Sequence, residues 1–167
     1  MTDKEKEHMR WLVEKYQFML ARYLNVTAMI EDKIDELITA SFNISKDNKW
    51  KFINLILSDL PLATKIQKLQ KTLKEIQPYL GERFNKDDLA NRLEKVRKTR
   101  NMFAHSVLNM NPDYLARGNR EEIGLLNPRN TQPRQQISLR DWDIMFLDAT
   151  KVLETLTEYL STIEKTS

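Results

Sequence analysis

The chain contains no cysteine. Disulfide cross-links and thiolate metal ligands are therefore excluded, and the absence fits a cytoplasmic location. Glycine is scarce, with three residues in 167, and proline numbers five, so long regular elements are expected, with few sharp turns. Histidine occurs only at His8 and His105, and no Asp/Glu group stands at metal-ligand spacing. The sequence thus calls for no metal and no cofactor. No apolar run approaches the roughly 18 residues that would span a bilayer. The charged stretch Met1–Glu7 is followed by no apolar signal core, so neither a transmembrane helix nor a membrane partner is expected. His8, in that charged start, reads as solvent-exposed and silent.

What remains is a helix-forming composition, 41% hydrophobic and 31% charged, in a length that suits a single domain over residues 1–167. Asp3 to about Phe42 reads as one or two long helices. Leu12, Tyr16, Met19 and Tyr23 form one stripe, and Ile30, Ile34, Leu37, Ile38 and Phe42 continue it. Asn25-Val26-Thr27 is the weak point at which a kink is expected. Trp50, Ile53, Leu55, Ile56 and Leu57 predict a short apolar helix, ended by Ser58-Asp59-Leu60-Pro61. The next helix carries Ile66, Leu69, Leu73, Ile76 and Leu80, with Gly81 as its left-handed cap. Asp87 is then read as the cap of a helix running from Asp88 to about Leu108.

Helical periodicity fails over about 109–137, an irregular insertion that holds three of the five prolines and two of the three glycines. Ile123, Leu125 and Leu126 could pair with Gln136-Ile137-Ser138-Leu139 as a small β-hairpin across Asn127–Arg134. Ser138-x-x-Asp141 has capping-box spacing, and Trp142 to Ile163 gives the last helix. The expected fold is all-α: an up-and-down helical bundle with a loop or small β-hairpin before the last helix.

The unusual stretch is Arg97-Lys98-Thr99-Arg100-Asn101-Met102-Phe103-Ala104-His105. Leu89, Leu93, Val96, Arg100 and Phe103 recur at helical steps, so an arginine lies on an otherwise apolar stripe. Such an arginine requires a partner, a cleft or an interface. Asn101 and His105, four apart, share a neighbouring edge. Charge gathers here as well: residues 92–140 hold ten basic and four acidic residues, net +6 in a chain of net +3, which leaves −3 elsewhere. A polyanion footprint is one reading of that excess, and a solvated face is the other.

Arg100-Asn101-x-x-Ala104-His105 resembles the R-x4-6-H signature of the HEPN domain (higher eukaryotes and prokaryotes nucleotide-binding). The layout of long first helix, motif helix, hairpin and last helix resembles that family over most of the chain. Many such domains are metal-independent endoribonucleases of toxin, phage-defence and RNA-processing systems. The resemblance implies RNA as substrate and a composite site at a homodimer interface. It also leaves room for a cognate antitoxin or defence-system partner.

The residue chemistry agrees with that implication. RNA carries its own nucleophile, the 2′-hydroxyl, and needs only proton transfer and charge on the phosphorane. His105 suits the proton transfers, Arg100 the phosphorane charge and Asn101 the orientation of phosphate or imidazole. Arg97, Lys98, Lys95 and Arg92 are the candidates to hold neighbouring phosphates. One copy supplies a single His, too few for separate acid and base, whereas a two-fold dimer supplies two. Some relatives in one branch of the family carry a Tyr two residues after the His. Here that position is Val107, so modification of such a Tyr is not expected. The rival expectations are a non-catalytic RNA- or nucleotide-binding module and a helical scaffold or antitoxin-like partner protein.

Overall fold

The computed structural model describes residues 1–42, 44–80, 86–128 and 135–166. It is 79% helical, an all-α helical bundle with one small sheet. In order come α1 (Asp3–Ser41), α2 (Lys46–Phe52), a π-helical stretch (Ile53–Leu57), α3 (Leu62–Leu80), α4 (Lys86–His105), β1 (Val107–Leu108), α5 (Pro112–Arg117), β2 (Glu122–Leu126), β3 (Gln135–Ser138) and α6 (Leu139–Thr166). Two compact units divide it. One comprises Met1–Asn25 and Thr99–Leu147, the other Val26–Lys98 and Asp148–Ser167. Helices α1, α4 and α6 contribute to both.

In the first unit, α1 starts at a reciprocal capping box. The Glu5 carboxylate accepts the Thr2 N–H at 2.6 Å, and the Thr2 hydroxyl accepts the Glu5 N–H at 3.3 Å. The core is built from Leu12, Met19, Tyr23, Phe103 and Trp142. Phe103 meets Trp142 edge-on, with centroids 5.5 Å apart, and Tyr23 lies at the same distance from Phe103. The expected hairpin forms: β2 and β3 pair antiparallel, Ile123 opposite Ile137 and Gly124 opposite Gln136. Ser138 caps α6 as its spacing predicts, its hydroxyl accepting the Asp141 N–H at 3.0 Å and donating to the Asp141 carboxylate at 2.7 Å.

Gly124 is there because of close approach. A Cβ on it would stand 2.9 Å from the Tyr114 ring. The Tyr114 hydroxyl accepts the Gly124 N–H at 2.7 Å, which fixes ring and strand together. Gly118 supplies the left-handed residue (φ +62) that ends α5.

Two expectations in this unit are corrected. The motif helix ends at His105 rather than near Leu108, and Val107 and Leu108 form β1, paired with Leu126 and Leu125. The Tyr16 hydroxyl lies within bonding distance of the carbonyls of Phe103 (2.8 Å) and Ser106 (3.1 Å), so the helix end finds a side-chain partner in place of a further turn. His8 is not exposed but 2% accessible. Its Nδ1 faces the Leu115 carbonyl at 3.0 Å and its Nε2 the Asn119 carbonyl at 2.8 Å, while Trp11 and Tyr114 flank the ring.

In the second unit, α1 continues through Val26 and Thr27, both buried, so Asp3–Ser41 is one helix rather than two. Ile30, Ile34, Leu37, Ile66, Leu69, Leu73, Leu89, Leu93, Val96, Val152 and Leu156 form the core. Asp35 and Lys65 are buried among them, joined Oδ2 to Nζ at 2.5 Å. Gly81, Arg129 and Arg134 lie outside the described residues, as do the side chains of Ile76 and Leu80; α4 starts at Lys86, so Asp87 lies inside it rather than capping it.

Candidate functional site

Helix α4 holds every residue that sequence reasoning singled out. Its apolar stripe is as the spacing predicts: Leu89, Leu93, Val96 and Phe103 are buried, and Arg100, on the same stripe, is only half-buried. A guanidinium resists full desolvation, so it stops where part of it reaches water.

Within the first unit, Arg100 donates from Nη1 to the Asn101 side-chain oxygen at 3.3 Å. Asn101 is half-buried. His105 is the last residue of α4, exposed, and without a hydrogen-bond partner among the described residues. Asn101 and His105 stand four apart on α4, and the side chain of Asn101 is bonded to Arg100. The helix end carrying His105 is tied by Tyr16, whose burial raises its hydroxyl above the ordinary phenol range. Sequence reasoning missed this role. A tyrosine on an apolar helical stripe was the available signal, because its buried polar tip must find a partner.

Comparison of the chain with family models, curated proteins and solved structures found no match.

The four residues expected to hold phosphates all belong to the second unit, and three of them are engaged. Arg97 forks the Glu94 carboxylate, Nε to Oε2 at 2.8 Å and Nη2 to Oε1 at 2.6 Å. The Arg97 hydrogen bond holds Glu94 below the ordinary carboxylate range, and Glu94 in turn raises Arg97. Lys95 pairs with Asp148 at 2.5 Å, and Arg92 approaches Asp88 at 3.8 Å. Lys98 is exposed and has no ion pair among the described residues. No cluster of three or more His, Asp or Glu able to hold a metal occurs among the described residues, and among them no helix is long and apolar enough to cross a membrane.

Chemically, the arrangement offers an accessible imidazole at a helix end held by a side-chain bond, and a guanidinium oriented by an amide in the same unit. The imidazole can accept or donate a proton, and the guanidinium keeps donors to spare for an oxyanion.

Proposed function

We propose that the protein is a metal-independent endoribonuclease of HEPN type, acting as a cytoplasmic toxin or phage-defence effector. His105 takes the proton from the ribose 2′-hydroxyl as its oxygen attacks phosphorus. The P–O5′ bond breaks, the 5′-oxygen leaves with a proton from the second His105 of a homodimer, and a 2′,3′-cyclic phosphate remains. Arg100 supplies charge to the phosphorane, with Asn101 holding the guanidinium in orientation.

One observation carries the reading: among the described residues His105 is exposed and unengaged at the end of α4, while Arg100 sits half-buried on an apolar stripe and bonded to Asn101. Incubating the purified chain with a mixed RNA pool in excess chelator tests it. Wild type should cut and leave cyclic phosphate ends, and His105→Ala, still folded, should lose on the order of a hundredfold or more in rate. Equal cutting by both would remove His105 from the mechanism. A second reading, a helical scaffold that does not cut, is favoured by the ion pairs that occupy Arg92, Lys95 and Arg97. Salt-sensitive RNA retention without cleavage would select the binding module.

A further inference from the structure

In the second unit, the helical segment from Lys46 to Leu57 turns its apolar residues the wrong way. Short surface helices normally bury their large side chains. Here Trp50 is 69% exposed, Leu55 80% and Ile56 52%, and Leu57 is the one buried described side chain of the segment. Phe42, 63% exposed, joins through its ring contact with Phe52, centroids 6.1 Å apart. The wider turn of the π-helical stretch Ile53–Leu57 carries Leu55 and Ile56 on its solvent side.

Along the chain, the charge in this segment and the helix that follows it is one-sided. Residues 46–74 contain seven lysines, two aspartates and no arginine, a net of 7 − 2 = +5. Lys65 is spent on Asp35. Lys49, Lys51, Lys68, Lys71 and Lys74 make no ion pair among the described residues, and all but the half-exposed Lys49 are exposed.

We propose that this segment is a docking surface for an anionic lipid bilayer. Trp50, Leu55, Ile56 and Phe42 would enter the headgroup–acyl boundary, and the lysines would attract the lipid phosphates. Three observations favour a bilayer over other occupants. Tryptophan beside aliphatic side chains is the composition that partitions into that boundary, whereas Leu55 and Ile56 offer nothing for a nucleobase to stack on. Unpaired lysines without arginine suit a diffuse field of headgroups better than forked recognition of one phosphate. The four side chains together expose on the order of 500 Å², a large patch for a monomer but short of the roughly 800 Å² per partner of a stable protein interface. Attachment of this kind lies on the surface and requires no spanning helix.

The test is co-sedimentation of the full chain with sucrose-loaded phosphatidylcholine vesicles, with or without about a third phosphatidylglycerol, at low and high salt. Wild type should sediment with the anionic vesicles, stay in solution with the neutral ones and dissociate as salt rises. Trp50→Ala/Leu55→Ser, which alters exposed positions and should retain the wild-type melting temperature, should weaken partitioning by about tenfold or more. Lys68→Gln/Lys71→Gln/Lys74→Gln should weaken it to a similar degree. The proposal is overturned if wild type ignores anionic vesicles, binds neutral ones equally, or if the Trp50/Leu55 variant binds undiminished. It is also overturned if, without vesicle binding, that variant instead disperses a dimer or loses RNA retention, which would assign the face to a second copy or to nucleic acid.

Discussion

The buried pair Asp35–Lys65 gives the sharpest stability prediction. Lys65→Met removes the ammonium that meets Asp35 Oδ2 at 2.5 Å. It leaves a carboxylate whose other oxygen, Oδ1, is already buried without a partner among the described residues. Stranding a buried charge in this way costs about 3–5 kcal/mol. Removing both charges in Asp35→Leu/Lys65→Met trades an imperfectly satisfied pair for apolar contact, and the cost should fall to about zero or become a gain.

Acidity gives a second handle on the pair. Burial raises the Asp35 carboxyl above its ordinary value, and the Lys65 hydrogen bond and charge oppose that rise without cancelling it. A raised folded-state value means that Asp35 contributes most below the ordinary carboxyl range, and that this contribution is lost as pH climbs through the folded-state value. Wild type should therefore gain relative to the double variant as the solution is acidified. Urea denaturation of the four proteins of the cycle, across the acid range, measures both effects. A Lys65→Met protein as stable as wild type, or a wild-type advantage that grows with rising pH, would refute the account.

Two further outcomes follow from side chains bonded to backbone carbonyls. His8→Leu removes the ring nitrogens that face the Leu115 and Asn119 carbonyls and should cost about 2–4 kcal/mol in denaturant unfolding. Tyr16→Phe, losing the bonds at 2.8 and 3.1 Å to Phe103 and Ser106, should cost about 1 kcal/mol of stability. Under the proposed activity it should also lower kcat more than it raises KM, and steady-state RNA cleavage measures the split.

What the sequence made legible was whatever repeats at the period of a helix or strand. The stripe Leu89, Leu93, Val96 and Phe103, the hairpin of β2 with β3 and the Ser138 cap each rest on local residue patterns. The residues that escaped have partners far along the chain. His8 meets acceptors 107 and 111 positions away, Lys65 an acid 30 away and Lys95 an acid 53 away, and no local pattern encodes such meetings. The bond between Arg97 and Glu94 was readable, since i,i+3 pairs on a helix regularly meet. The helix end was not, because Val107 and Leu108 continue an apolar pattern that helix and strand share over so short a run. At the candidate site the motif helix and its mixed face were legible, but not the tie from Tyr16, which comes from a distant part of the chain.

The contact between Gly124 and Tyr114 has a consequence for substitution. With the ring's Cζ 2.9 Å from where a Cβ would stand, a side chain at position 124 requires the ring to move. A larger residue on the strand requires a smaller one on α5, and the hydroxyl that receives the strand's N–H is lost in the same step. Gly124→Ala should therefore be tolerated better together with Tyr114→Leu than alone.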